Sequence, residues 1–344
     1  MAPILSVRNL TTPLTVGHHV FNVVENMSFD LFHGKTLALV GESGCGKTFT
    51  ALSILRILPS PPALHPQGEI IYKGINLLDL SEAEMRSIRG SRIAMIFQDP
   101  TSSLNPVYSI GFQLLEVAEM HLGLYGEKAV ERVVQALKEV GIPSPRERMY
   151  EYPHQLSGGM KQRVMIAMAL MCEPDILIAD EPTTALDVTI QAQVLELIRN
   201  LQRKKGMALL LITHDLGVVA EMADDVIVMY ASQGIERGSS LEIFDHISHP
   251  YTLGLFDSLP TSTTRRGKLK PIKGYVPSLG HYPDGCRFHP RCPYAMEKCR
   301  HGPVPDFEIV TKDHISKCWL HDGSEESKSK LIDKLEGFDA RKNS

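Results

Sequence analysis

Eight residues, Gly41-Glu42-Ser43-Gly44-Cys45-Gly46-Lys47-Thr48, have the spacing of a phosphate-binding loop. Glycines let successive backbone N–H groups turn toward one anion, and a helix starting at the end of the loop adds the positive end of its dipole. In that chemistry the Lys47 ammonium neutralises the β- and γ-phosphate oxygens of ATP, and the Thr48 hydroxyl ligates Mg2+. The loop follows an apolar stretch at residues 36–40, the strand-loop-helix setting this chemistry needs.

Two further stretches carry chemistry. Ile176-Leu177-Ile178-Ala179-Asp180-Glu181 is an apolar strand ending in two carboxylates. Asp180 can reach Mg2+ through its water shell, and Glu181 can orient or deprotonate an attacking water. A strand ending in Asp-Glu is by itself usually a solvated edge; beside a phosphate loop it is a hydrolytic candidate. Leu156-Ser157-Gly158-Gly159-Met160-Lys161-Gln162-Arg163 places Ser-Gly-Gly ahead of a helix, a second anion-binding N-terminus. A single chain with one phosphate loop has no evident use for two.

The elements that must position these residues are readable from periodicity. Apolar residues alternate at 27–31, 4–7 and 69–72, which predicts an antiparallel sheet near the N-terminus. Residues 36–40, 175–179 and 208–212 are instead continuously apolar, as strands covered on both faces are, and predict a parallel core sheet. Helical spacing at 111–118 and 127–140, stopped by Gly141 and Pro143, predicts a helical insertion over about residues 100–173. After His249 the texture changes: prolines at 260, 271, 277, 283, 290 and 293 punctuate a stretch without strong periodicity, and a polar tail follows from Gly323. The expected class is α/β with a small appendage and a mobile end.

Composition narrows the partners. Of 344 residues, 43% are hydrophobic and 22% charged, with a net charge of only −4, which disfavours disorder and a nucleic-acid footprint. The longest apolar runs fall far short of a membrane span, and the start lacks a basic, then apolar, leader, so a soluble chain retained in the cytoplasm is expected.

The order phosphate loop, Gln98, Leu156-Ser157-Gly158-Gly159, Asp180-Glu181, Asp187, His214 resembles that of ATP-binding-cassette (ABC) ATPases, over about residues 1–250. The resemblance implies an ABC-type P-loop fold whose 1–250 domain contains the helical subdomain. It also implies a head-to-tail dimer, in which Ser157, Gly158 and Gly159 of one subunit close over ATP held by the other's Lys47 loop. That explains the second anion site. By the same resemblance Gln98 would contact Mg2+ and the attacking water, His214 would hold the γ-phosphate, and Asp187 would lie at the dimer seam. An aromatic upstream of the loop would stack on adenine; Phe21 is the obvious ring, with His18 and His19 near the expected spacing.

The strings around Gln98-Asp99-Pro100-Thr101-Ser102-Ser103-Leu104-Asn105-Pro106, with His249-Pro250-Tyr251-Thr252, resemble the dipeptide, oligopeptide and nickel importer branch. Residues 50–59 resemble the first of the two paired ATPases in those systems. The implied function is powering import of dipeptides or oligopeptides. Nickel or another small solute stands as the alternative cargo, and a soluble ABC ATPase outside transport as the more distant alternative. Implied partners are a second, paralogous ATPase, two permease subunits, and indirectly an extracytoplasmic solute-binding protein, with this chain peripheral on the cytoplasmic face of the inner membrane. No nucleic acid is expected.

Four of the six cysteines, Cys286, Cys292, Cys299 and Cys318, fall in the appendage at 251–322. They lack the paired Cys-x-x-Cys of common zinc ribbons. Four thiolates are what a [4Fe–4S] cluster needs, and peptide-importer ATPases have a similar tail. An iron–sulfur cluster is the expectation, with zinc or unliganded thiols as alternatives; Cys45 and Cys172 read as small packing residues.

Overall fold

The computed structural model of the protein describes residues 2–184, 187–258 and 271–342. The chain opens with β1 (Leu5–Val16), β2 (His19–Leu31) and β3 (Thr36–Val40), enters helix α1 (Lys47–Leu55), and returns through β4 (Gln67–Tyr72) and β5 (Ile75–Asn76). Strands β1, β2, β4 and β5 form an antiparallel sheet in the order β2-β1-β4-β5, as the alternation predicts. Leu5, Val7 and Leu10 on β1 and Met27, Phe29 and Leu31 on β2 are buried between this sheet and the next.

A second sheet holds the chemistry. After α2 (Glu82–Ile88) come β6 (Ile93–Ile96) and five helices, α3 (Pro100–Ser103), α4 (Ile110–Leu122), α5 (Gly126–Glu139), α6 (Pro145–Arg148) and α7 (Gly158–Leu170). Then follow β7 (Ile176–Asp180), α8 (Val188–Lys205), β8 (Ala208–Thr213), α9 (Leu216–Met222), β9 (Asp225–Tyr230) and β10 (Gln233–Ser239). Strands β9-β3-β8-β7-β6 run parallel, and β10 joins β9 antiparallel.

Every residue of β3, β7 and β8 is buried, the reason their sequences do not alternate. Alternate side chains nevertheless serve different cores. On β8, Leu210 and Ile212 face the core shared with the antiparallel sheet, while Leu209 and Leu211 face the core built with α4, α5 and α7. Full burial of one such side chain contributes about 1.5–3 kcal/mol, so the sheet is fixed from both sides.

The C-terminal region continues the core sheet. It does not stand apart: after α10 (Ser240–Asp245) and α11 (Pro250–Asp257), the short strands β11 (Phe307–Glu308) and β12 (Ile315–Ser316) extend the core sheet, with β12 paired to β10. Fully buried Glu236 of β10 accepts the backbone N–H of Ser248 at 2.6 Å and of His249 at 2.9 Å, and His314 Nε2 lies 3.3 Å from it. This carboxylate ties the region to the sheet through contacts no local periodicity reveals. The expected tail from 323 contains a helix, α12 (Glu325–Lys342), and buried Lys334 donates from it to the carbonyls of Ile247 and Ser248. Pro260 lies outside the described residues. Among the described residues no helix is long and apolar enough to cross a membrane.

Candidate nucleotide site

The phosphate loop leaves β3 and closes into α1. Gly46 has a φ of 104°, which glycine adopts without a steric cost, and a Cβ there would meet the Val23 carbonyl at 2.4 Å. A Cβ on Gly41 would meet the Met229 carbonyl at 2.2 Å. The two glycines therefore let the loop press against β2 and β9. Lys47 is buried and its ammonium donates to the carbonyls of Gly41, at 2.7 Å, and Glu42, at 3.1 Å. The charge is thus held inside the loop it would serve.

Parallel neighbours explain how residues distant in sequence meet. β3, β8, β7 and β6 lie side by side, and their C-terminal ends carry the phosphate loop, His214, Asp180-Glu181 and Gln98 respectively. Crevices at such strand ends are where open α/β sheets bind ligands. The Thr48 hydroxyl donates to Asp180 Oδ1 at 3.2 Å, so an oxygen from the start of α1 meets one from the end of β7 where a hard cation with oxygen ligands would fit. These are the residues that would hold Mg2+.

Glu181 collects the remaining groups. Gln98 Nε2 donates to its Oε2 at 2.9 Å, the Thr184 hydroxyl donates to the same oxygen at 2.9 Å, and His214 Nδ1 lies 3.2 Å from Oε1. Its backbone is left-handed, with φ 45°, and its N–H donates to the Ile212 carbonyl at 2.8 Å. A non-glycine residue held there costs about 1–3 kcal/mol, a strain found where a side chain must be aimed.

The two carboxyls diverge electrostatically. Burial raises the Asp180 pKa above the ordinary value, and the nearby Glu181 charge adds to the rise, against the Thr48 hydroxyl and Lys47. Burial also works to raise Glu181, but the Thr184 hydroxyl, His214 and Lys47 outweigh it and hold Glu181 below its ordinary value. Glu181 is the carboxylate kept ionised.

The Ser157-Gly158-Gly159 segment sits elsewhere in the subunit. Ser157 caps α7 by accepting the Met160 N–H at 3.3 Å, and Asp187 caps α8 by accepting the Ile190 N–H at 3.0 Å. A Cβ on Gly159 would meet Ile190 Cγ2 at 2.9 Å, so these two exposed caps belong to packed neighbours. The structure joins the predicted residues into two groups, one around Lys47 and Glu181 and one around Ser157 and Asp187. Phe21 is half-buried, and its ring tip is 2.8 Å from where a Cβ on Gly280 would lie; His18 and His19 are exposed.

A family profile described as ABC transporter matches residues 24–184, and one described as Oligopeptide/dipeptide transporter, C-terminal region, matches residues 235–299. The dipeptide transport ATP-binding protein DppD of Bacillus subtilis is 50% identical over 322 residues, covering 94% of this chain and 96% of its own. The chain belongs to the ABC transporter ATPases. The oligopeptide transport ATP-binding protein OppD of Haemophilus influenzae is 45% identical, covering 93% of this chain and 98% of its own. A solved dimeric post-hydrolysis state of the ATP-binding cassette MJ0796, bound to ADP and Pi, aligns with a TM-score of 0.61 at 26% identity, covering 69% of this chain and 98% of that one. As an ABC ATPase the chain is an ATP-hydrolysing enzyme, and ATP with Mg2+ is its expected nucleotide.

The structure gives the cysteine expectation no support. Cys286, Cys292, Cys299 and Cys318 do line one small, largely apolar cavity with Phe288, Tyr294 and Trp319. Among the described residues, however, no group of three or more His, Cys, Asp or Glu side chains is arranged to hold a metal ion, so neither a [4Fe–4S] cluster nor zinc is supported. Burial pushes the unliganded Cys286 thiol up to about 11 and that of Cys292 up to about 12. All six cysteines are free thiols.

Sequence reading missed residues that hold the site. Gln162 on α7 is buried and reaches the Pro182 carbonyl, and Thr184 completes the Glu181 cluster. Gln162 lies inside the 156–163 stretch and Thr184 three residues after Glu181, yet their polar side chains look like ordinary helix or loop surface. Nothing local reveals that Tyr251, though part of a recognised string, and Arg291 bind Glu42 from more than 200 positions away.

Proposed function

We propose that the chain powers uptake of dipeptides or oligopeptides as the ATPase of an importer at the cytoplasmic face of the inner membrane. The observation that carries the hydrolytic part is the convergence of Gln98, Thr184 and His214 on Glu181, next in sequence to the Asp180 of the Thr48–Asp180 pair. The peptide cargo is supported by the match at residues 235–299 and by the names of the relatives.

In this reading the amides at 43–48 and Lys47 seat the triphosphate, and Phe21 stacks on adenine. Thr48 and Asp180, with Gln98 alongside, hold Mg2+, which neutralises charge on the phosphates when bound. Glu181 takes or orients the proton of the attacking water, and Gln98 and His214 flank it. Ser157, Gly158 and Gly159 present the N-terminal end of α7 to nucleotide on the second subunit, with Asp187 beside the seam. Because neither group is complete alone, hydrolysis waits on closure of the dimer.

The second ATPase is a paralogue on the reading of residues 50–59, and two permease subunits and an extracytoplasmic binding protein complete the system. The ATPase domain spans about residues 1–250, with its helical subdomain over 100–173; residues 251–322 form an appendage docked on its sheet, and 323–344 a terminal segment.

The test is ATP turnover by the assembled complex, reconstituted with its permease and binding protein, under dipeptide, longer peptide or Ni2+ load. Stimulation by peptides supports the reading, stimulation by the metal alone moves the cargo to nickel, and indifference to every load removes import.

A further inference from the structure

The side chain of Glu42, second residue of the phosphate loop, pairs with Arg291 in a seat built by the C-terminal region rather than with the loop's own Lys47. Arg291 binds it with two nitrogens, Nη1 to Oε2 at 2.8 Å and Nη2 to Oε1 at 3.1 Å. The Glu42 backbone N–H donates to the Tyr251 hydroxyl at 2.8 Å. One acidic residue of the loop is thus held at both backbone and side chain by residues 209 and 249 positions downstream.

The seat is specific for a guanidinium. Arg291 Nε donates to the Lys273 carbonyl at 3.0 Å, Nη1 also lies 3.4 Å from the Tyr230 hydroxyl, and the guanidinium lies 5.7 Å from the Tyr230 ring centre. The side chain is only 6% exposed, and Tyr251 is fully buried. A planar fork satisfying a carboxylate, a carbonyl and an aromatic face at once is a geometry lysine cannot copy.

We propose that Arg291 is a positioning residue of the ATP site, neutralising Glu42 and fixing the start of the phosphate loop from the C-terminal region. The proposal rests on the reading that residues 41–48 receive the phosphates of ATP. ATP brings about four negative charges to this loop at neutral pH, and a partly exposed carboxylate in the loop opposes them unless it is paired. Arg291 cancels that charge, and its rigid two-point bond keeps the carbonyls of Gly41 and Glu42, which hold the Lys47 ammonium, in place. The C-terminal region is therefore a working part of the nucleotide site as well as an extension of the sheet.

The test measures MgATP affinity and ATPase kinetics of the full-length chain carrying Arg291→Ala, Arg291→Lys, Arg291→Ala with Glu42→Gln, and Lys47→Ala. Arg291→Ala is expected to weaken MgATP binding at least about tenfold, as loss of one partner of a paired charge does, and to raise KM more than it lowers kcat. Adding Glu42→Gln removes the surplus charge and is expected to restore most of the lost affinity. Arg291→Lys keeps the charge without the two-point bond and falls between, so it carries the test if the alanine variant does not fold. Unchanged affinity in Arg291→Ala, or in Arg291→Lys where that variant stands in, overturns the proposal. So does a double variant no better than Arg291→Ala, which would make Arg291 a prop of the fold only. If Lys47→Ala also binds MgATP normally, the phosphate-loop reading itself falls; if only Lys47→Ala loses binding, Arg291 alone is dismissed.

Discussion

Gln162, one turn into α7, donates from its side-chain amide to the Pro182 carbonyl at 2.7 Å, with the residue 1% exposed. It connects the helix headed by Ser157-Gly158-Gly159 to the peptide that follows Glu181. A displacement of that helix is therefore felt at the hydrolytic carboxylate through one buried hydrogen bond. Replacing Gln162 with Ala leaves the Pro182 carbonyl unpaired, and about 1–3 kcal/mol of stability is expected to be lost. Chemical denaturation measures that cost, and turnover is expected to fall further than MgATP affinity; equal losses in both would separate Gln162 from the coupling of the two groups.

Glu181→Gln keeps the size of the side chain and removes its basicity. Turnover is expected to drop by about 10²–10⁴, the usual share of a general base, while ATP still binds. Single-turnover phosphate release reads the chemical step, and size-exclusion chromatography with ATP reads the dimer, which should accumulate. Unaltered turnover would remove Glu181 from its role.

Asp180 gives a pH-dependent prediction whose sign follows from its burial. The folded protein raises its pKa, so the folded state binds the proton more tightly than the unfolded chain, and the ionised group destabilises the nucleotide-free fold at neutral pH. Asp180→Asn is therefore expected to raise the melting temperature at pH 7. The gain should shrink as pH falls through the raised folded value toward the ordinary carboxylate range. Mg2+-dependent turnover should be lost at every pH. Melting curves across that range check the trend, and a gain that grows on acidification would contradict it.

Gly41→Ala tests the packing of the loop separately from its chemistry. The Met229 carbonyl stands 2.2 Å from where the new Cβ would lie, so loop and β9 must part. Loss of several kcal/mol and of nucleotide binding is expected, as for an overpacked site with backbone on the other side. Gly44, with open space around it, should accept Ala at the smaller cost set by its φ of 81° alone. Comparison of the two melting temperatures decides whether backbone contact at Gly41 is the cause.

Much of this was legible in the residues. The phosphate loop, the strand ending in Asp180-Glu181 and the alternating 27–31 segment announce themselves because their chemistry depends on neighbours in sequence. The helices at Ile110–Leu122 and Gly126–Glu139 appear where their spacing and stop signals put them. What stayed hidden depends on distance. The pairing of Arg291 with Glu42 spans 249 positions, and β12 is only two residues long, too short to leave a pattern. Four cysteines in one stretch suggested a metal, but spacing carries no information on where the thiols point; folded, all four line one small, largely apolar cavity.

The pairing of β12 with β10 also governs how the protein can be cut. Residues Glu236 and Arg237 of β10 are matched with Ser316 and Ile315, and the Ile235 carbonyl accepts the Lys317 N–H. A chain ended near residue 250 would lose β11 and β12 and leave β10 as the bare edge of the six remaining strands. Unpaired strand edges recruit other strands, so such a fragment should self-associate into insoluble material even with every nucleotide motif intact.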